Sequence, residues 1–144
     1  MPGAYPDKER IMLKIKPAEA WTIRINVDAP MLDPGSYITG RLTNHDRATR
    51  ERITLPILER IKELQRQHDD GELRTTDFLA ETNRANGELL RANYVGFDGV
   101  PGDDSWSYVL DGPLSQWLVA AAHGAIADSV ERSRRGNSSA SRGR

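Results

Sequence analysis

The chain has no cysteine. Disulfides, thiolate-ligated zinc and thiol nucleophiles are therefore excluded, and the composition suits a reducing, intracellular compartment. It also lacks a surplus of either charge. Twenty Lys and Arg stand against twenty-one Asp and Glu, for a formal net charge of −1, so the basic excess of a generic nucleic-acid binder is missing. Apolar residues make up 38% of the chain, below the usual range, so much of it is expected to be exposed or to await a partner. No window approaches the ~18 consecutive apolar residues that a membrane span requires. The opening stretch from Met1 to Lys8 lacks the apolar run of a signal peptide. Together these absences lead us to expect a soluble protein that works where it is made, with no membrane contact.

A length of 144 residues is enough for one hydrophobic core without staples. Residues 1–9 are rich in Pro, Gly and charge, and read as a flexible arm. A single α+β domain is expected over 10–130. Ile11, Leu13 and Ile15 alternate with Lys14 and Lys16. After Pro17, the alternation resumes with Trp21, Ile23, Ile25 and Val27 against Thr22, Arg24 and Asn26, the best strand pattern in the chain. Turn chemistry at Asp28–Pro30 and Asp33–Gly35 leads to a returning strand over Ser36–Thr43, with Ile38 and Leu42 inward and Gly40 as a weak point. The expectation is a small N-terminal antiparallel sheet of two to three strands.

A C-terminal bundle of three to four helices is expected to follow. Asn44–Arg52 reads as a short helix or linker. Thr54 is placed to cap a helix with Pro56 in its first turn, carrying Ile57, Leu58, Ile61 and Leu64 on one face and ending near His68–Gly71. Thr75 or Thr76 caps a second stretch in which Phe78, Leu79, Thr82, Ala85, Leu89, Leu90 and Asn93 recur at helical spacing. Gly87 and its neighbouring asparagines predict a bend near Asn86. Asp111 is expected to cap the last helix, whose apolar face holds Leu114, Trp117, Leu118, Ala121, Ala125, Ile126 and Val130. From Glu131 the chain carries five arginines and one acid. Such a tail, over 131–144, cannot repay its ordering entropy alone and is expected to be disordered in isolation.

No motif spells out a chemistry. Asp98, Asp103 and Asp104 lie among Gly96, Gly99 and Gly102, but the spacing is not that of a calcium loop, and an ordinary solvated turn is the stronger reading. His45, His68 and His123 are scattered, and His123 reads as a packing residue among alanines. No catalytic, cofactor-binding or metal residue is assigned, and no cofactor is expected. Trp106, in a loop-like segment, is a candidate exposed anchor. Trp117 and Leu118 are candidates to line an apolar groove between the last two helical regions. Arg132, Arg134 and Arg135 are candidate contacts of the basic tail. Val95, Phe97 and Val100 are expected to plug the core while the glycines reverse the chain.

The second half resembles the tail assembly chaperones of long-tailed bacteriophages, the lambda-type small protein encoded before the tape-measure gene. The residues behind this come in a specific order: a helical run from Asp77-Phe78-Leu79 to Leu89-Leu90, the corner Val95-Gly96-Phe97-Asp98-Gly99-Val100, and a Gly/Asp turn. Ser107-Tyr108, the helix Leu114-Ser115-Gln116-Trp117-Leu118 to Ala125-Ile126, and Arg134-Arg135-Gly136-Asn137-Ser138 complete it. The likeness spans residues 20–138 and is one of pattern more than identity; Phe97 stands where the family more often has Trp. It implies a non-enzymatic factor in the cytoplasm of an infected bacterium, absent from the mature virion. Such a factor binds and solubilises the tape-measure protein and helps recruit major tail protein to the growing tube; a frameshifted longer form is common in the family. The groove near Trp117 and Leu118 would take amphipathic helices.

Two rivals stand beside it. A structural virion protein, a head–tail connector or tail-completion factor, predicts stable self-association and presence in purified particles. A nucleic-acid-associated regulator using the arginine tail predicts salt-dependent binding lost on removing residues 131–144.

Overall fold

A computed structural model describes residues 21–142, with side chains to Arg132. The expected arm over residues 1–9, the alternation at Ile11–Ile15 and the side chains of Arg134 and Arg135 lie outside the described residues. The architecture is α+β. Strands β1 (Thr22–Asn26), β2 (Tyr37–Leu42) and β3 (Tyr94–Asp98) form one antiparallel sheet in that order. Among the described residues four helices complete it: α1 (Arg47–Asp69), α2 (Thr75–Asn93), α3 (Ser105–Asp111) and α4 (Ser115–Arg142).

The period-two pattern of the first strand pairs as its chemistry predicts. Ile25 faces Ile38 and Ile23 faces Gly40 across the β1–β2 ladder. The ladder runs one pair past β1, through a Val27 N–H to Ser36 oxygen bond of 2.9 Å. Ile25, Val27 and Ile38 enter the core with Leu118, Ala122 and Ile126 of α4. A third strand was within the expectation, but its place at Tyr94–Asp98 was not. The corner read as a plain reversal includes a strand that pairs with β2, with a register irregularity at Arg41/Leu42. Within it Val95 is 56% exposed, not the core plug expected, because its side chain points away from the helices. Tyr94 is buried instead. Its hydroxyl donates to the Ala122 carbonyl oxygen at 2.8 Å, tying the end of α2 to the middle of α4. Its ring lies where a Cβ at Gly40 would collide, so the glycine in β2 is the space that Tyr94 fills.

α1 begins eight residues earlier than a cap at Thr54 would place it. Asp46 is the cap: its Oδ1 accepts from the Thr49 N–H at 2.7 Å. That bond and the adjacent hydroxyl hold its carboxyl below the usual carboxylate range. Thr54 is instead fully buried in the helix interior, and its hydroxyl donates to Asn93 Oδ1 at 3.2 Å. Pro56 therefore sits inside the helix, where it removes one backbone bond. α2 runs unbroken through Asn86 and Gly87, because Asn86 is engaged by α4 and no bend is needed. α4 continues through Arg142, past the expected boundary at Glu131. A helix already nucleated and packed adds each further residue cheaply, whatever the composition says about independent folding.

Candidate protein-binding groove

Three segments meet at one end of the sheet. The β1–β2 connection is set by a Leu32 N–H to Ala29 oxygen bond of 3.0 Å and a Ser36 N–H to Asp33 oxygen bond of 3.2 Å. The Ser36 hydroxyl doubles the second at 2.7 Å, and Gly35 takes φ +84°, a conformation that favours glycine. The β3–α3 connection turns on Gly99 and Gly102, both with φ near +90°. It ends at Asp104, which caps α3 by accepting the Ser107 N–H at 3.2 Å. The start of α4 is the third segment.

Between them lies a groove of about 280 Å³. Val27, Leu32 and Ile38 form one wall, and Val100, Tyr108 and Leu114 the other, with Leu118 among the lining residues. None of its lining side chains carries a formal charge. Tyr37, 52% exposed, is among the lining residues, and Met31, 55% exposed, stands next to the lining residue Leu32 in the chain. The groove offers apolar contact and two phenol hydroxyls, and it presents no nucleophile–base pair.

The candidates from the sequence are distributed as follows. Leu118 is buried and reaches the groove from below. Trp117 packs against the core cluster and is not among the groove's lining residues. A second cleft of about 610 Å³ lies between α2 and α4; its lining is mixed, with Leu79, Leu110, Val119 and Ala120 beside Asn83, Asn86, Asp111 and Gln116. Trp106 is no free anchor. It sits in α3, half-buried, with Nε1–H donating to the Val95 oxygen at 3.0 Å and its ring edge-on to Phe97 at 5.2 Å. The Arg91 guanidinium lies 4.8 Å over it. Arg132 is exposed.

The acidic loop divides its work: Asp98 pairs with Arg41 at 3.2 Å and Asp104 caps α3. Among the described residues no group of three or more His, Asp or Glu is placed to hold a metal ion. His123 Nδ1 lies 2.8 Å from Asn86 Oδ1, linking α4 to α2, and burial pushes its imidazole pKa down. Leu32 and Tyr37 were missed as groove residues. The available signal was an apolar pair, Met31-Leu32, set inside turn chemistry where polar residues are the norm.

Among the described residues no helix is long and apolar enough to cross a membrane. No protein-family model matches the chain, and comparison with curated proteins and with solved structures finds no match.

Proposed function

We propose that this protein is a non-enzymatic binding factor that shields an apolar, helical stretch of another protein in the groove between the β1–β2 connection, α3 and α4. The observation that carries the reading is the groove's lining: apolar along both walls, free of charged side chains, and including the exposed Tyr37, and Leu32, next to which exposed Met31 stands in the chain. An amphipathic helix laid on such a surface buries its own apolar face without opening either fold.

The finer step rests on the resemblance. The tape-measure protein of a long-tailed phage is a long helical rod that needs such shielding before the tube forms around it. We infer a tail assembly chaperone, acting in the host cytoplasm, absent from the finished particle, and handing its cargo to major tail protein. The test is co-purification with a coiled-coil tape-measure segment. Wild type is expected to retain the segment, and Met31→Glu combined with Tyr37→Ser to lose at least tenfold in affinity with an unchanged circular dichroism spectrum. Equal retention by the folded double variant would overturn the groove assignment.

A further inference from the structure

Helix α4 serves two openings. Leu114 and Leu118 line the groove described above, while Ser115 and Val119, each one position further on, line the 610 Å³ cleft on the α2 side. The two helices stand apart there: a Cβ at Gly87, which also lines the cleft, would meet nothing within 4 Å. Gly87 lies inside an unbroken helix, where glycine is a poor helix former. It takes no positive φ, and no neighbour needs its lack of a side chain. The fold therefore gives no reason for a glycine at this position. A wall of bare backbone, open to close approach by a ligand, does.

The polar groups of the cleft are left with unused capacity. Asn86 Oδ1 lies 2.8 Å from His123 Nδ1. An amide oxygen only accepts, so the ring nitrogen carries the proton and the Asn86 NH2 group stays free to donate. The side-chain amides of Asn83 and Gln116 make no hydrogen bond among the described residues, and each can donate and accept at once. Asn83 and Asn86, three apart on α2, are surface neighbours with Cβ atoms about 5–6 Å apart. Along an extended chain the backbone groups on one side recur about every 6.6 Å, a comparable repeat. A helical ligand pairs its own N–H and C=O groups internally and has few to offer these amides.

Exposure and charge specify the side chains such a ligand carries. Leu79, 53% exposed, and Val119 supply apolar contact from the two helices. Asp111 is the one formally charged residue in the lining. It ends α3, whose last turn holds no basic residue, and it has no cation partner among the described residues. A carboxylate at a helix C-terminus favours a cation twice over.

We propose that the α2–α4 cleft binds an extended segment of another polypeptide bearing apolar residues and at least one Lys or Arg. Asn83, Asn86 and Gln116 pair with its backbone, and Asp111 with its cation. The site is separate from the groove assigned to a helical partner, and either assignment can fail without the other.

Fluorescence anisotropy on full-length protein tests it with three labelled peptides: alternating leucine and lysine, alternating leucine and glutamate, and a leucine–lysine peptide of helical period. Wild type is expected to bind the first at least tenfold more tightly than the others. Gly87→Leu fills the cleft and raises helix propensity. It is expected to melt no lower than wild type and to lose at least tenfold in affinity. Asp111→Asn, at an exposed position, is expected to weaken binding and flatten its salt dependence. Met31→Glu combined with Tyr37→Ser is expected to bind the peptide as wild type does. Five results would each overturn the proposal: no saturable binding by wild type, equal binding of the glutamate or helical peptide, undiminished binding by folded Gly87→Leu, an unchanged salt dependence in Asp111→Asn, or loss of binding in the folded double variant.

Discussion

The sheet end of the molecule and the outer half of the α1–α2 hairpin are held by different forces. At the sheet end, Ile25, Leu89, Leu90, Tyr94, Phe97, Val109 and Ile126 interlock with almost no exposure. Along α1, Thr54 is the single fully buried residue among those described, and Ile57, Leu58, Ile61 and Leu64 are half-buried. Past that point charges take over. Arg66 reaches Glu63, Asp70 and Glu72 at 2.6, 2.8 and 3.3 Å, which raises its own pKa and lowers that of Glu63. Arg60 pairs with Glu88, and His68 stacks on Phe78 at 4.4 Å. Exposed ion pairs contribute little each and are screened by salt. The difference teaches where stability resides: the core resists global unfolding, and the hairpin tip opens first.

The sharpest way to break the contrast is to cut the core. Leu89→Ala should cost about 2–5 kcal/mol by lost transfer energy and an unfilled cavity, read as a lower denaturant midpoint. The same truncation at Leu64 should cost visibly less. If the two were equal, the hairpin would belong to the core after all.

The junction between the two regions is polar, and its loss comes next. Arg50 Nη1 donates to Asn93 Oδ1 at 2.9 Å and Nη2 to the Thr43 oxygen at 2.6 Å. Asn93 Nδ2 donates to the Leu89 oxygen at 3.0 Å. Burial pushes the Arg50 pKa down, so the guanidinium depends on these acceptors. Asn93→Ala leaves the Thr54 hydroxyl without its acceptor and Arg50 with Thr43 alone, at about 1–3 kcal/mol. Thermal melts at low and high salt should show the same loss, since the network is shielded from solvent.

A smaller effect is expected from acid. His123 has a folded-state pKa below the ordinary imidazole value of about 6.5, so the unfolded chain binds its proton more readily. The stability His123 supports is therefore present above about pH 6.5 and is lost as pH falls through its folded pKa. His123→Gln keeps a hydrogen-bonding group beside Asn86 and should flatten this part of the stability–pH profile. An unchanged slope would assign the acid sensitivity to other groups.

The smallest shift belongs to the tip. Arg66→Ala should barely move the global midpoint, and what change there is should vanish in high salt. Amide exchange should instead quicken near residues 63–75 while the β2 and β3 amides stay protected. Faster exchange throughout the molecule would mean that tip and core unfold together.

Much of this was legible in the chain. Trp21–Val27 reads as a strand because one β-branched face alternates cleanly, and β1 and β2 lie within two residues of their expected bounds. Leu89, Leu90 and Asn93 fall on the buried face of α2 as their spacing predicts. The errors share a cause. Thr54 before Pro56 is a good local cap signal, and it lost to Asp46 because α1 needed Thr54 inside, against Asn93. Asn86-Gly87 is a good local breaker, and it lost to packing on α4. Trp106, placed in a loop by Asp103, Asp104 and Ser105, lies in a helix that closes a sheet edge. For the groove, Leu118 was in view and Leu32 and Tyr37 were not, because the segments that meet there are about sixty to ninety residues apart in sequence.

The sequence by itself determined the class of fold, the two strands of the first hairpin, the faces of the helices and the lack of a motif-borne chemistry. Each of these depends on residue type and on neighbours within about one turn or one strand. Only the tertiary structure decided that Tyr94–Asp98 is a strand, that α3 closes its outer edge, and where the apolar groove lies. A five-residue segment broken by Gly96 has no pattern of its own. It becomes a strand because β2, more than fifty positions earlier, offers it a ladder, and α3 then covers the side that β2 does not.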